Sequence, residues 1–139
     1  MGGIISSNPE EFSKLPGVGP YISAAVMSIA FQHPQPAVDA NAIRIGARME
    51  MVDLPYPKNL KIISHYFDNH IPVERPGDFN QAIMDLGRKT CSADKPQCTA
   101  CPISKNCKAL VNNSVDKYPI KVKRAKKPHY NIATGIIWN

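Results

Sequence analysis

The chain has 139 residues, a formal net charge of +6 and an isoelectric point near 9.2, and 13 of its residues are proline. It contains no apolar run of membrane-spanning length, and its first residues lack the charged-then-apolar order of a signal peptide. A membrane protein is therefore excluded, and we expect a soluble protein. The positive charge favours polyanionic partners without identifying one.

A pair of helices joined by a tight turn is predicted near the N-terminus. Asn8 can cap a first helix that begins at Pro9 and ends near Leu15. Pro20 is suited to the first position of a second helix, and residues 21–31 carry apolar side chains at helical spacing. The sequence therefore predicts a helix, a hairpin and a helix.

The turn between these helices reads Leu15-Pro16-Gly17-Val18-Gly19. Gly17 and Gly19 tolerate backbone angles that other residues avoid, so successive amides can point outward and bind a phosphate. Such a contact would fix the position of a nucleic acid without reading its sequence. The alternative is a plain turn between helices, because a lone Gly-x-Gly motif is weak.

A proline-containing segment leads from the second helix to Asp39. Pro34 and Pro36 force this segment to be extended. The helix rises ~20 Å at ~1.5 Å per residue, and an extended return of its length covers up to ~23 Å. Asp39 can therefore lie level with the hairpin and Tyr21. Because a helical turn follows, Asp39 is an N-cap, a functional carboxylate that faces a bound nucleotide, or both.

Two more helices are predicted before the last third of the chain. Residues 59–67 form a moderately amphipathic pattern. Asp78 is expected to cap a clearer helix that Gly87 ends. The apolar face of this helix consists of Phe79, Ala82, Ile83 and Leu86.

Four cysteines follow within one short segment: Cys91, Cys98, Cys101 and Cys107. Four thiolates at this spacing can converge on a tetrahedral zinc ion or on a four-iron four-sulfur (4Fe-4S) cluster. A zinc ribbon normally supplies two Cys-x-x-Cys pairs, whereas only Cys98 and Cys101 have that separation. The spacing therefore favours a cluster over zinc, and a pair of disulfides is the third possibility.

The composition changes again after Asn112. Residues 117–127 contain five lysines and one arginine without an acidic residue, which indicates a linker or an electrostatic arm for phosphates. Residues 130–138 have the β-branched and aromatic content of a strand. We therefore expect a helical part over 1–87, a metal loop over 88–112, a basic linker over 113–128 and the start of a second domain over 129–139.

Four motifs in this order resemble the helix-hairpin-helix DNA glycosylase superfamily with an iron–sulfur cluster, and within it the MutY family of adenine DNA glycosylases. They are the hairpin sequence through Tyr21, Ala37-Val38-Asp39-Ala40-Asn41, the segment from Phe79 to Gly87, and the cysteine quartet. The resemblance covers residues 1–125, and 129–139 resemble the opening of a NUDIX-like domain that recognises 8-oxoguanine. It implies a mainly α fold with a C-terminal cluster loop.

The resemblance implies base-excision repair, in which adenine mispaired with 8-oxoguanine or guanine is removed by hydrolysis of its N-glycosidic bond. Asp39 is then the catalytic carboxylate, and Tyr21 and Asn41 line the same site. Tyr21 occupies the position of a lysine in relatives that also cleave the strand, so a monofunctional glycosylase is expected. The implied partner is double-stranded DNA, bound by a monomer in the bacterial cytoplasm or in a eukaryotic nucleus.

The remaining residues implied by the resemblance bind DNA or metal. Leu15, Gly17, Val18 and Gly19 would contact the DNA backbone, and Lys95 in the cysteine loop would contribute a phosphate contact. The four cysteines would ligate the 4Fe-4S cluster.

Two departures from the family pattern leave the function open to more than one interpretation. Ala40 replaces a glycine, as it does in related thymine-mismatch glycosylases, so a thymine or uracil substrate is an alternative. The general-acid glutamate of the family belongs to a segment ahead of this chain, so we expect little turnover by the isolated 139 residues. The sequence is also compatible with a non-catalytic DNA-binding module and with a zinc-bound structural domain.

Overall fold

The computed structural model describes Gly3, residues 5–122 and Gly135, and within these ranges the chain is helical and contains no strand. A mainly α fold is thereby confirmed. The described α-helices are α1 (Pro9–Phe12), α2 (Pro20–Phe31), α3 (Ala40–Glu50), α4 (Leu60–Asp68), α5 (Pro76–Asp85) and α6 (Lys108–Val111). Single helical turns lie at Leu86–Thr90, Cys98–Ala100, Ser104–Asn106 and Val115–Lys117. Within the described ranges, no helix has the length and hydrophobicity of a membrane span.

The predicted helical hairpin is present. The Asn8 side chain accepts hydrogen bonds from the first-turn amides of α1, and Pro20 stands at the start of α2. Helix α1 ends at Phe12, three residues before the predicted end at Leu15, because the chain continues in tight turns such as that closed by the Leu15 amide and the Phe12 carbonyl.

Helix α3 lies at the centre of the core. Its buried face packs on α4 and α6, and a residue from the segment after α6 completes the cluster. Burial of this face explains why α3 is held firmly enough to present the side chains at its N-terminus. The fully or nearly fully buried members are Ala42, Ile45, Ala47, Met49, Val52, Ile63, Phe67, Ala109 and Tyr118.

The segment before α3 is fixed by one buried side chain. Asn80 of α5 is 3% exposed, and its Oδ1 accepts from the Ala37 amide at 2.9 Å. Its Nδ2 donates to Ser28 Oγ at 2.7 Å and to the Gln35 carbonyl at 2.9 Å. Asn80 therefore joins α2, α5 and the return segment that delivers Asp39.

Replacing Asn80 with Ala is expected to lower the free energy of unfolding by about 2–3 kcal/mol, because the buried Ala37 amide loses its acceptor and the Gln35 carbonyl loses its donor. The matched control is Asn112→Ala, since Asn112 is exposed and donates a single bond to the Lys108 carbonyl. It should cost less than about 0.5 kcal/mol. Chemical denaturation measures both, and equal costs would contradict the role of Asn80.

Two expected helix boundaries are wrong. Asp78 does not cap α5, since the N-cap position is Arg75 and Asp78 lies in the first turn, where its carboxylate pairs with the Arg75 guanidinium. Gly87 does not end the helix, because the backbone continues as a π-helical turn to Thr90, closed by the Cys91 amide and the Leu86 carbonyl at 2.7 Å.

The segment from residue 113 to residue 122 is the described part of the predicted basic linker. Tyr118 is 2% exposed in the core, and its hydroxyl donates to Asp53 Oδ1 at 2.8 Å. This part of the segment therefore packs on the helical domain. The predicted strand over 130–138 lies outside the described residues, Gly135 excepted.

Candidate functional site

Asp39 stands at the N-terminus of α3 with both carboxylate oxygens engaged. Its Oδ1 accepts from the Ala42 amide at 2.8 Å, which makes it the N-cap of α3. Its Oδ2 accepts from Asn41 Nδ2, also at 2.8 Å. The carboxylate is half-buried. These two bonds fix its orientation and leave it reachable from the surface, as a group that faces a bound molecule requires.

Asn41 is held in turn by an arginine one helical turn further along α3. Arg44 Nη2 donates to Asn41 Oδ1 and to the Gly87 carbonyl, both at 2.8 Å, and Arg44 Nε donates to the Cys91 carbonyl at 2.7 Å. A continuous chain of hydrogen bonds therefore connects the Asp39 carboxylate with the first cysteine of the quartet. The π-helical turn is what presents both carbonyls to Arg44.

Gly87 lies against Asn41. A Cβ atom at position 87 would stand 2.5 Å from Asn41 Cβ, 2.9 Å from its Cγ and 3.1 Å from its Oδ1. Only a residue without a side chain fits there while Asn41 keeps its bonds to Asp39 and Arg44.

Replacing Gly87 with Ala is expected to destabilise the fold by about 1–3 kcal/mol, since Asn41 must move. The backbone of Gly87 is helical and suits Ala, so steric conflict is the cause of any loss. The control Gly19→Ala introduces a Cβ with no neighbour within 4 Å, and at the N-cap of α2 it should lower the melting temperature less than Gly87→Ala does. Equal melting temperatures for the two variants would contradict the prediction.

Tyr21 lies at the start of α2 and is 38% exposed. Its hydroxyl donates to the Met84 sulfur at 3.8 Å and forms no hydrogen bond with Asp39 in the described structure. Tyr21 and Val38 line the same cavity, and Val38 directly precedes Asp39. The start of α2 and the start of α3 therefore lie at the same end of the molecule.

The glycine turn directly precedes α2 and leaves two backbone amides without a partner among the described residues. Gly17 has φ +85, in the left-handed region that favours glycine, and Gly19 is the N-cap of α2. In the described structure neither amide donates to a protein acceptor, whereas the Val18 amide closes a turn onto the Leu15 carbonyl at 3.0 Å. Both glycine amides are available to a ligand beside the positive end of α2.

The four cysteines are free thiols that line one cavity between α3 and the cysteine segment. Arg48, Leu110 and Val115 complete its walls.

The donor set around this cavity consists of four thiols. Four thiols can ligate an iron–sulfur cluster and can also ligate a tetrahedral zinc ion. In the described part of the chain no three Cys, His, Asp or Glu side chains are grouped closely enough to hold one metal ion. By their chemistry, the residues present therefore fit a cluster.

Burial raises the pKa of the Cys98 thiol, and so do the charges of the neighbouring cysteines, while the charge of Arg48 lowers it. Burial likewise raises the pKa of the Cys101 thiol. A metal group must therefore displace protons from these thiols when it binds. Lys95 is exposed on the loop between Cys91 and Cys98, and it joins no salt bridge among the described residues.

The sequence identified Asp39, Asn41 and the cysteines as candidate site residues. It did not identify Arg44, Arg48 and Asn80. A signal for the arginines was present, because Asn41, Arg44 and Arg48 recur at three- and four-residue intervals and so share one face of α3. Asn80 carried no such signal, since its partners lie more than forty residues away along the chain.

No protein-family model matches the chain. It is 38% identical over 125 residues to an adenine DNA glycosylase of Arabidopsis thaliana, a match that covers 84% of the chain and 20% of the relative. It is 42% identical over 109 residues to an adenine DNA glycosylase of Schizosaccharomyces pombe, covering 76% of the chain and 24% of the relative. The chain thus spans about a fifth to a quarter of the length of these relatives.

Solved structures give the same result for the fold. A thermostable thymine-DNA glycosylase superposes with a TM-score of 0.71 at 34% identity, covering 80% of the chain and 52% of that structure. An endonuclease III trapped as a covalent intermediate with DNA superposes with a TM-score of 0.65 at 28% identity, covering 81% of the chain and 52% of that structure. The hairpin, the helical core and these likenesses together show that the chain has the fold of the helix-hairpin-helix DNA glycosylases and that its sequence is similar to those of adenine DNA glycosylases.

Proposed function

We propose that this chain is part of an adenine DNA glycosylase of base-excision repair, which hydrolyses the N-glycosidic bond of adenine mispaired with 8-oxoguanine or guanine. The observation that carries the proposal is the fixed carboxylate of Asp39 at the same end of the molecule as the glycine hairpin. The relatives named adenine DNA glycosylase, at 38% and 42% identity, supply the substrate class.

DNA binding is assigned to the hairpin. The amides of Gly17 and Gly19 would hold a backbone phosphate at the N-terminus of α2, with Leu15 and Val18 shaping the turn around them. The net charge of +6 adds an attraction for DNA that does not depend on sequence. The likeness to an endonuclease III bound to DNA supports duplex DNA as the partner.

Catalysis begins when the target nucleotide leaves the base stack, which costs a few kcal/mol and least at a mispair. Departure of the base leaves positive charge on the sugar, as in glycoside hydrolysis. The ionised carboxylate of Asp39, held in place by Asn41 and the Ala42 amide, would stabilise that charge. Asn41 is itself oriented by Arg44, so these two residues position the carboxylate.

Tyr21 bears on whether the DNA strand is cleaved after the base has been removed. Strand cleavage by related enzymes requires an amine that forms a Schiff base with the opened sugar, and a phenol cannot form one. We therefore propose a monofunctional enzyme that leaves an intact abasic strand. Its exposed ring at the start of α2 would line the pocket of the extruded base.

The four cysteines are proposed to hold a 4Fe-4S cluster. When bound, such a cluster would give the cysteine segment a fixed fold and so hold Lys95 in place for a phosphate contact. The support lies in the cavity that the four thiols share and in the spacing of the cysteines along the chain.

The substrate is tested by base release with protein in excess over duplexes that contain adenine opposite 8-oxoguanine, adenine opposite guanine or thymine opposite guanine. We expect release of adenine only, with strand breakage only after alkali. A chimera in which residues 5–122 replace the matching segment of the Schizosaccharomyces pombe relative provides the general acid expected to lie outside this chain. Release of thymine, or strand breakage without alkali, would contradict the proposal.

A further inference from the structure

Arg48 is a buried arginine without an acidic partner in the described structure. It is 2% exposed, and its guanidinium donates to three backbone carbonyls: Tyr118 at 3.1 Å, Ser92 at 2.7 Å and Ala93 at 3.2 Å. No salt bridge formed among the described residues includes it. Its hydrogen bonds are satisfied, but its charge is not balanced by a carboxylate.

A lone buried charge is costly, and proteins normally pair it with an opposite charge. The remaining donor contact of Arg48 shows where that charge would be. Its Nη1 lies 3.2 Å from the Sγ of Cys91, and its side chain forms part of the wall of the cavity that the four cysteines line. The cation is therefore directed at the site in which thiolates would be gathered.

Arg48 also contacts the last cysteine of the quartet. The Sγ of Cys107 lies 3.7 Å from the Arg48 carbonyl oxygen. One residue of α3 thus touches the first and the last of the four thiols, one through its side chain and one through its backbone. Because α3 is anchored in the core, Arg48 fixes the opening of the cavity relative to the rest of the domain.

We propose that Arg48 is a positioning residue that supplies the counter-charge for an anionic metal–thiolate group in this cavity and orients Cys91 for ligation. The inference rests on the proposed cluster, and it assigns to Arg48 a function that the spacing of the cysteines alone does not. A positive charge next to the sulfurs favours the more reduced and more negative state of such a group. Arg48 would therefore raise its reduction potential and slow its loss.

The test compares variants that separate charge from hydrogen bonding. Arg48→Met removes the charge and retains bulk, Arg48→Gln removes the charge and retains donors, and Arg48→Lys retains the charge without the forked geometry. Iron content, the visible absorption band, the midpoint potential and the rate of bleaching by an iron chelator are measured on each purified chain. Arg75→Met, which removes an exposed arginine paired with Asp78, is the control.

We expect Arg48→Met and Arg48→Gln to lower the midpoint potential and to bleach about tenfold faster, a size typical of lost outer-shell contacts. Arg48→Lys should stay near the wild-type potential, and Arg75→Met should match wild type throughout. Wild-type potential and bleaching in the neutral variants would overturn the inference. If the neutral variants do not fold, an Arg48→Lys chain that keeps the cluster but has a midpoint potential far below wild type also overturns it, because the positive charge is then present without its effect.

Failure of the cluster proposal and failure of the role of Arg48 would give different results. A wild-type chain that binds zinc and no iron would remove the cluster while leaving Arg48 testable through the rate of zinc loss to a chelator. A wild-type chain with iron and a visible band, whose neutral variants behave identically, would remove only the role of Arg48.

Discussion

Replacing Asp39 with Asn is expected to slow base release by about 10³-fold, or ~4 kcal/mol in the transition state, while duplex binding stays within about twofold. The loss is expected because the developing positive charge on the sugar loses its fixed counter-charge. Binding is retained because the hairpin amides of Gly17 and Gly19 are separate from the carboxylate and are not altered. Single-turnover release and binding of a duplex with adenine opposite 8-oxoguanine are measured on the chimera with the Schizosaccharomyces pombe relative.

Asn is the informative substitution at this position, because Asp39 has two roles. As the N-cap of α3 it accepts from the Ala42 amide, and Asn caps helices as well as Asp does. The variant therefore keeps the cap and changes the charge, together with the hydrogen bond that Asp39 Oδ2 accepts from Asn41 Nδ2. Asp39→Ala, by contrast, loses both and should also lower the free energy of unfolding by about 1 kcal/mol.

The matched control is Asp78→Asn, which makes the same charge change in the first turn of another helix, α5, at an exposed position. It should leave base release unchanged. A rate for Asp39→Asn within about tenfold of wild type, or an equal loss in Asp78→Asn, would remove Asp39 from the mechanism.

The helices were predictable from local sequence, because their signals are local. The side chains of Asn8 and Asp39 accept from amides a few residues away, and the fixed φ of Pro20 suits a first helical position. The structure has each of the three where the pattern indicated. The position of Gly87 inside a helical turn was not predictable in this way. Glycine can end a helix, but here a contact with Asn41, which is distant in sequence, requires a glycine inside the turn.

The candidate site was only partly predictable for the same reason. Asp39 and Asn41 are neighbours in sequence, so a motif can reveal them. The bonds from Arg44 to Gly87 and Cys91, and from Arg48 to Ser92 and Tyr118, join positions more than forty residues apart. Composition and periodicity carry no information about such pairs, and only the fold brings them together.

Replacing Cys98 with Ser is expected to abolish the visible absorption band and iron content and to weaken duplex binding about tenfold at moderate salt. Cys98 begins the helical turn Cys98–Ala100 in the middle of the quartet. A lost ligand there would release the loop that carries Lys95, while the core of α3 and α4 stays intact. Absorption spectra, iron analysis and binding titrations measure the three effects. The control Ser104→Ala changes another residue that lines the same cavity and should alter none of them.

Salt dependence identifies the cause of the weaker binding. If Cys98→Ser weakens binding because Lys95 loses its contact with a phosphate, the plot of the logarithm of the binding constant against log salt should become shallower. Its slope should change by about 0.9, the value for one phosphate contact. Lys95→Ala should give the same change in slope with the iron content of wild type, and the double variant should give no further change. A Cys98→Ser chain that has lost its iron but binds duplex with wild-type affinity and slope would show that the cysteine site does not support DNA binding. The hairpin and the positive charge of the chain would then account for the affinity without it.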